Sequence, residues 1–189
     1  MTTKMTARMT TRMTAKRRRM TPLGALARGA LSGVMGTALM DLVSYLRYKR
    51  GGGDTDLIAW EFQPGLDDWS KASAPGQVGK RLYEGLLQRP LSDRYAALTN
   101  DLTHWLYGVS WGALFGMVVG STRISRAPRA IAGPPFGAVV WGMSYVILPL
   151  AKLYKPIWDY DTPTLAKDLS THLVYGAGVS TLFSLLSRR

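Results

Sequence analysis

Two histidines are the side chains best able to exchange a proton near neutral pH in this sequence, and both occupy the same place in a repeated pattern. The chain reads Thr103-His104-Trp105-Leu106-Tyr107-Gly108 and later Thr171-His172-Leu173-Val174-Tyr175-Gly176. Five residues after each glycine, Leu114-Phe115 matches Leu182-Phe183, giving the shared pattern T-H-x-x-Y-G-x5-L-F. Histidine titrates near neutrality, and a neighbouring carboxylate favours its charged form. Asp41, embedded in a long apolar stretch, is the carboxylate expected to meet both imidazoles, with Tyr107, Tyr175 and Tyr145 close in depth.

Three kinds of chemistry fit such a set. A proton-sensitive site could couple protons to a small solute or sense external pH. A hydrogen-bonded lock could hold helices together, at about 0.6–2 kcal/mol per polar pair in lipid. Two histidines on separate helices could also be axial ligands of a b-type haem, and His104, His172 and Asp41 could together hold a divalent metal. The expectation is no resident cofactor, with haem b or a metal as the alternatives. No catalytic residue is expected, because the chain has no glycine-rich phosphate loop, nucleophile elbow or H-E-x-x-H helix. Asp67-Asp68, Asp159 and Asp161 read as loop solvation.

Helices must position these groups. Residues four apart share one helical ridge, and the ridges that carry the polar residues are otherwise made of small ones. One runs Asn100, His104, Gly108, Gly112, Gly116, Gly120 and another Asp168, His172, Gly176, Ser180, Ser184. The remaining two run Ala25, Gly29, Gly33, Thr37, Asp41, Tyr45 and Gly133, Gly137, Trp141, Tyr145, Pro149. Small residues at this spacing let helices approach closely in lipid, so the ridges should face one another. Gly29, Gly33 and Asp41 fall opposite Gly133, Gly137 and Tyr145, a weaker echo of the histidine repeat.

Four stretches are long and uncharged enough to cross about 30 Å of hydrocarbon: roughly residues 22–46, 102–120, 130–150 and 163–186. The expected fold is all-α, a four-transmembrane-helix bundle built from two repeated helical hairpins over 22–187, with a long external loop at 51–92. The net charge of +12 would suggest nucleic acid if spread over a soluble surface. Here it follows topology, so nucleic acid is not an expected partner. The N-terminal arm with Arg28, the connection carrying Arg123, Arg126 and Arg129, and the terminal Arg188-Arg189 hold thirteen basic residues and no acid. Basic loops stay cytoplasmic, which places both termini inside; Arg47, Lys49 and Arg50 oppose that assignment.

Residues 1–21 form a basic arm of Met-Thr repeats with nothing to bury, expected to be disordered and drawn to anionic lipid headgroups. Equally, Met20 could be the true translation start. Thr21, Ser92 and Thr162 are expected helix caps, and Gly51-Gly52-Gly53 a stop. Trp60, Phe62 and Trp69 suit the headgroup level. A helix opening at Ala74-Pro75, apolar along Val78, Leu82 and Leu86, should rest on the outer membrane surface. The absence of cysteine excludes disulfides and thiolate metal sites.

The T-H-x-x-Y-G motifs, with the stretch Pro149 to Trp158 running on to Lys167-Asp168, resemble uncharacterised four-helix integral membrane proteins of actinobacteria, and more distantly the YagU-like inner-membrane family. The resemblance spans about residues 22–187. It implies a multi-pass protein of a bacterial plasma membrane and lends no catalytic residue. The lipid bilayer is the expected partner, with a homo-oligomer or a larger membrane complex as further possibilities.

Overall fold

A computed structural model describes residues 20–121 and 131–187. Its helices are α1 (Pro22–Arg50), α2 (Leu57–Phe62), α3 (Ala74–Leu87), α4 (Ala96–Ser121), α5 (Gly133–Leu150) and α6 (Thr162–Leu186), and no strand occurs among the described residues. Short 3-10 turns at Trp69–Lys71, Asp93–Tyr95 and Ile157–Asp159 join them. The arm up to residue 19, Arg123, Arg126, Arg129 and the terminal arginines lie outside the described residues.

Among the described residues three helices, α1, α5 and α6, are long and apolar enough to cross a membrane. α4 is as long, at 26 residues, but His104, its tryptophans and its glycines dilute its hydropathy, and its first turns are polar. The helices are apolar on the outside. Leu31, Val34 and Leu42 of α1, Leu102, Leu106 and Val118 of α4, and Val139 and Val146 of α5 are exposed, whereas Ser32, Thr37, Thr171 and Ser180 are buried. Water would favour the opposite distribution.

Local chemistry sets the helix ends. Thr21 caps α1 by accepting from Gly24 N at 3.1 Å, with Pro22 in the first turn. Gly51 closes the helix and Gly52 takes a left-handed φ of 91°. At 29 residues α1 is about 43 Å long and outruns the hydrocarbon. Its last turn carries Arg47, Lys49 and Arg50, where positive charge suits the carbonyl end of the helix dipole. Arg47 also donates to Lys167 O at 3.0 Å and to Ser170 Oγ at 2.8 Å on α6. The cluster that opposes the charge-based topology therefore has a local structural reason.

Two expected caps are corrected. Asp161, not Thr162, caps α6, accepting from Thr164 N at 2.6 Å; these hydrogen bonds hold its carboxyl below the usual range. Ser92 precedes a 3-10 turn leading into α4 and makes no side-chain cap bond. Trp69 is also corrected. It is buried, with Nε1 donating to Leu91 O at 3.1 Å and Lys80 Nζ 5.2 Å from its ring centroid.

The small-residue ridges set the helix order α4–α1–α6–α5. A Cβ on Gly29 would strike the Gly112 carbonyl, and one on Gly112 would lie 2.5 Å from Gly33 Cα. On the other side, Gly133 packs against Ser180 and Gly176, and Gly137 against the His172 carbonyl. Gly116 meets Gly29, and Gly108 meets Thr37. Gly36 and Gly178 join α1 to α6. α4 and α5 sit at opposite ends of this order and meet mainly through aromatic side chains, leaving a gap between them.

Candidate functional site: a roofed cavity with two histidine–aspartate pairs

The gap between α4 and α5 is a cavity of about 360 Å³. Its walls include Thr37 and Met40 of α1, His104 and Tyr107 of α4, Val140, Ser144 and Ile147 of α5, and Asp168, His172 and Tyr175 of α6. Aromatic rings close the floor. Phe136 lies 6.1 Å from Trp111, 4.9 Å from Phe115 and 6.2 Å from Tyr175, centroid to centroid. The Tyr175 hydroxyl donates to Gly108 O at 2.6 Å, fixing the ring across the base.

α3 forms the roof through Ser73, Ala74, Pro75 and Val78. Ser73 Oγ and Gly76 N both donate to Asn100 Oδ1, at 2.5 and 3.1 Å. At its other side Arg81 donates to the Ala151 carbonyl beyond α5, so α3 bridges the two helices that the gap separates. Of the expected apolar stripe only Val78 faces the cavity, and α3 meets α4 through a different face. Gly76 and Gly79 pack on α4, where a Cβ would press on Asn100 and on Thr99 and Thr103, while Leu82 and Leu86 are exposed.

On one wall His104 Nε2 donates to Asp41 Oδ1 at 2.9 Å. The second carboxylate oxygen, Asp41 Oδ2, is buried without a partner. Glu61 of α2 sits behind this pair and accepts from Trp105 Nε1 at 2.9 Å. Burial, and then the Asp41 charge, push the Glu61 carboxyl up.

On the other wall His172 Nδ1 lies 3.0 Å from Asp168 O and 3.3 Å from Asp168 Oδ1. Asp168 Oδ2 accepts from the Tyr145 hydroxyl at 2.9 Å. Tyr145 packs against Tyr154 and Tyr160, each 5.4 Å away between ring centroids. Burial and the Asp168 charge push the Tyr154 phenol up to about 12, so it remains an O–H donor at physiological pH. Each imidazole thus has one nitrogen held by an aspartate and keeps the other for a proton or a ligand.

The expected convergence of Asp41 with both histidines gives way to two separate pairs. Asp168 stands one helical turn before His172 on the same ridge, so His172 has a local acid and needs none from α1. His104, His172, Tyr107 and Tyr175 line the cavity directly. Asp41 and Tyr145 stand behind, each bonded to a group on the wall. Asp168, Tyr154 and Glu61 were missed as site residues. The signal for Asp168 was present, since it occupies the place before His172 that Asn100 occupies before His104. Tyr154 reaches the site from the α5–α6 connection and Glu61 from the short helix α2, and neither had a periodic signal.

Among the described residues no three His, Asp or Glu side chains gather in a metal-holding arrangement. No protein-family description matches this chain, and no curated protein or solved structure does so either.

Proposed function

We propose that this is a four-span protein of a bacterial plasma membrane that binds a small solute in a proton-dependent way, as a transporter or sensor. The observation carrying the reading is that both histidines of the repeat, each paired with an aspartate, line one cavity. A cavity of this size, largely apolar with a few converging polar groups, is the usual form of a small-molecule site. Intramembrane ionisable groups are costly and mark function more often than packing.

α4 is the fourth span in this reading. Its outward Leu102, Leu106, Leu114 and Val118 suit lipid, and it packs along α1 through its glycine ridge. The two-hairpin repeat is supported by matched contacts: Gly29 against Gly112 corresponds to Gly133 against Ser180, and Gly33 against Gly108 to Gly137 against Gly176. Cytoplasmic termini put the cavity in the external half, beneath α3. The bacterial plasma membrane follows from the T-H-x-x-Y-G resemblance.

A second reading, a structural lock, is favoured by Asp41–His104, which ties α1 to α4. Asp168 likewise ties α6 to α5 through Tyr145, but His172, paired within its own helix, adds nothing to such a lock and is left facing the cavity.

Tyrosine and tryptophan emission of the lipid-reconstituted protein tests the proposal, because Tyr107, Tyr154 and Tyr175 share the cavity with the imidazoles. A reversible change between about pH 5 and 8, reduced in His104→Gln and in His172→Gln, is the expected result. Emission that is flat over this range in the folded wild type would overturn it.

A further inference from the structure

The charge on the cavity wall is one-sided. Among the described residues Asp168 is its only acidic one, the two histidines are the only other titratable groups besides tyrosines, and no lysine or arginine lines it. Two arginines on elements around the cavity are engaged elsewhere. Arg47 is bound to Lys167 O and Ser170 Oγ, and Arg81 to the Ala151 carbonyl. Beside the hydroxyls of Thr37, Ser73, Thr103 and Ser144, the wall is mostly apolar and aromatic, with Met40, Val140, Ile147 and the rings of Tyr107, Tyr154 and Tyr175.

The geometry points to an organic monocation with an apolar body as the ligand of this cavity, bound in exchange for the proton that charges His172 beside Asp168. This rests on the proton-dependent reading above and gives that site its ligand class. Apolar walls remove water from the body of such a molecule, and aromatic faces attract its positive charge. An anion would find no lysine or arginine among the described wall residues and would depend on a protonated imidazole already facing an aspartate, a costly burial. Asp168 has one oxygen on Tyr145 and the other 3.3 Å from His172 Nδ1. When His172 is protonated, imidazolium and carboxylate neutralise each other and the cavity has no net charge to offer at this wall. When His172 loses its proton, the carboxylate is left to a ligand cation. Binding and protonation are then mutually exclusive, and affinity rises with pH.

The groups facing this pair are Tyr145 on α5, Tyr154 and Tyr160 in the α5–α6 connection, and, across the cavity, His104 on α4 with Asp41 of α1 behind it. Glu61 of α2 and Asp101 of α4 flank His104. None of the acids among them is matched by a lysine or arginine in the cavity, so protonation of His104 also works against a cation.

Titration calorimetry on the full chain in lipid nanodiscs separates the outcomes. The probes are benzyltrimethylammonium and phenylmethanesulfonate, similar in shape and opposite in charge. The expected result is saturable binding of the cation over the anion. Affinity should climb with pH, towards the limit of about tenfold per pH unit set by one released proton. Asp168→Asn should abolish the preference, Asp168→Glu should restore it, and His172→Gln should flatten the climb. Equal binding of both probes, preference for the anion, no binding of either, or cation binding independent of pH would overturn the inference. The wild-type comparison stands even if a variant fails to fold. If the ligand-free emission responds to pH while the cation gains no advantage, the ligand class is wrong and the proton-responsive cavity survives. If that emission is flat, the earlier reading fails instead.

Discussion

At the scale of single residues, the two histidines sit in matched surroundings that do different mechanical work. His104 crosses from α4 to Asp41 on α1 at 2.9 Å, so their pairing contributes to helix association. A double-mutant cycle with Asp41→Ala and His104→Ala is expected to give a coupling of about 0.6–2 kcal/mol in a refolding assay in lipid or detergent. His172 and Asp168 are four residues apart on one helix, and the same cycle there should return only about 0.2–0.5 kcal/mol. Equal couplings would argue that both pairs are locks. Glu61 supplies a pH effect of definite sign. Its carboxyl is pushed up by burial and by Asp41, so the folded chain holds that proton more tightly than the unfolded one. The contribution is complete below the unfolded value of about 4.3 and is lost as pH rises through the folded value. Glu61→Gln should therefore flatten the stability profile on the acidic side of neutrality. The repeat made the histidines legible in the sequence. Their partners were half legible: an inward-facing Asp41 follows from the cost of charge in lipid, but the choice between Asp41 and Asp168 depends on distances that spacing alone does not settle.

At the scale of helices, glycine spacing carried most of the readable information, because close backbone approach leaves a sequence trace every four residues. Gly29, Gly33, Gly108, Gly112 and Gly116 do meet across α1 and α4. Gly112→Leu should cost about 1–3 kcal/mol or more through overpacking and lower the thermal stability of the purified protein. Gly142→Ala, at a glycine with nothing within 4 Å of an added Cβ, should be neutral or slightly stabilising. A loss at Gly142 as large as that at Gly112 would contradict this packing. α3 was less legible. Its hydrophobic stripe predicts a surface helix, and Leu82 and Leu86 are indeed exposed, but its contact with α4 runs through Gly76 and Gly79. Small residues used for contact look like weaknesses when only apolar periodicity is read. The α6 cap shifted by one residue, to Asp161, because aspartate and threonine adjoin and either side chain could serve.

At the scale of the whole molecule, buried small and hydroxyl residues with leucines outside form a bundle made for lipid, with one side left open between α4 and α5 and covered by α3. The chain has no cysteine, so single introduced cysteines report topology without background. Gly65→Cys should react with an impermeant maleimide in intact cells, and Ser125→Cys only after permeabilisation; the reverse pattern would invert the bundle and put the cavity on the cytoplasmic side. The helical class and the apolar spans were legible from composition along the chain. The cavity was not, because it arises where two helices fail to meet, and nothing in a sequence marks a missing contact.

The account depends on His104 and His172 exchanging protons within a shared cavity, and this can be watched directly. With only two histidines in the chain, ring-labelled histidine in nanodiscs gives two sets of NMR signals, assigned by His104→Gln and His172→Gln. Both sets of signals should change reversibly as the sample is taken from about pH 5 to 8, and removing either imidazole should alter the response of the other. Signals that stay constant across that range, or two titrations indifferent to each other, would contradict it.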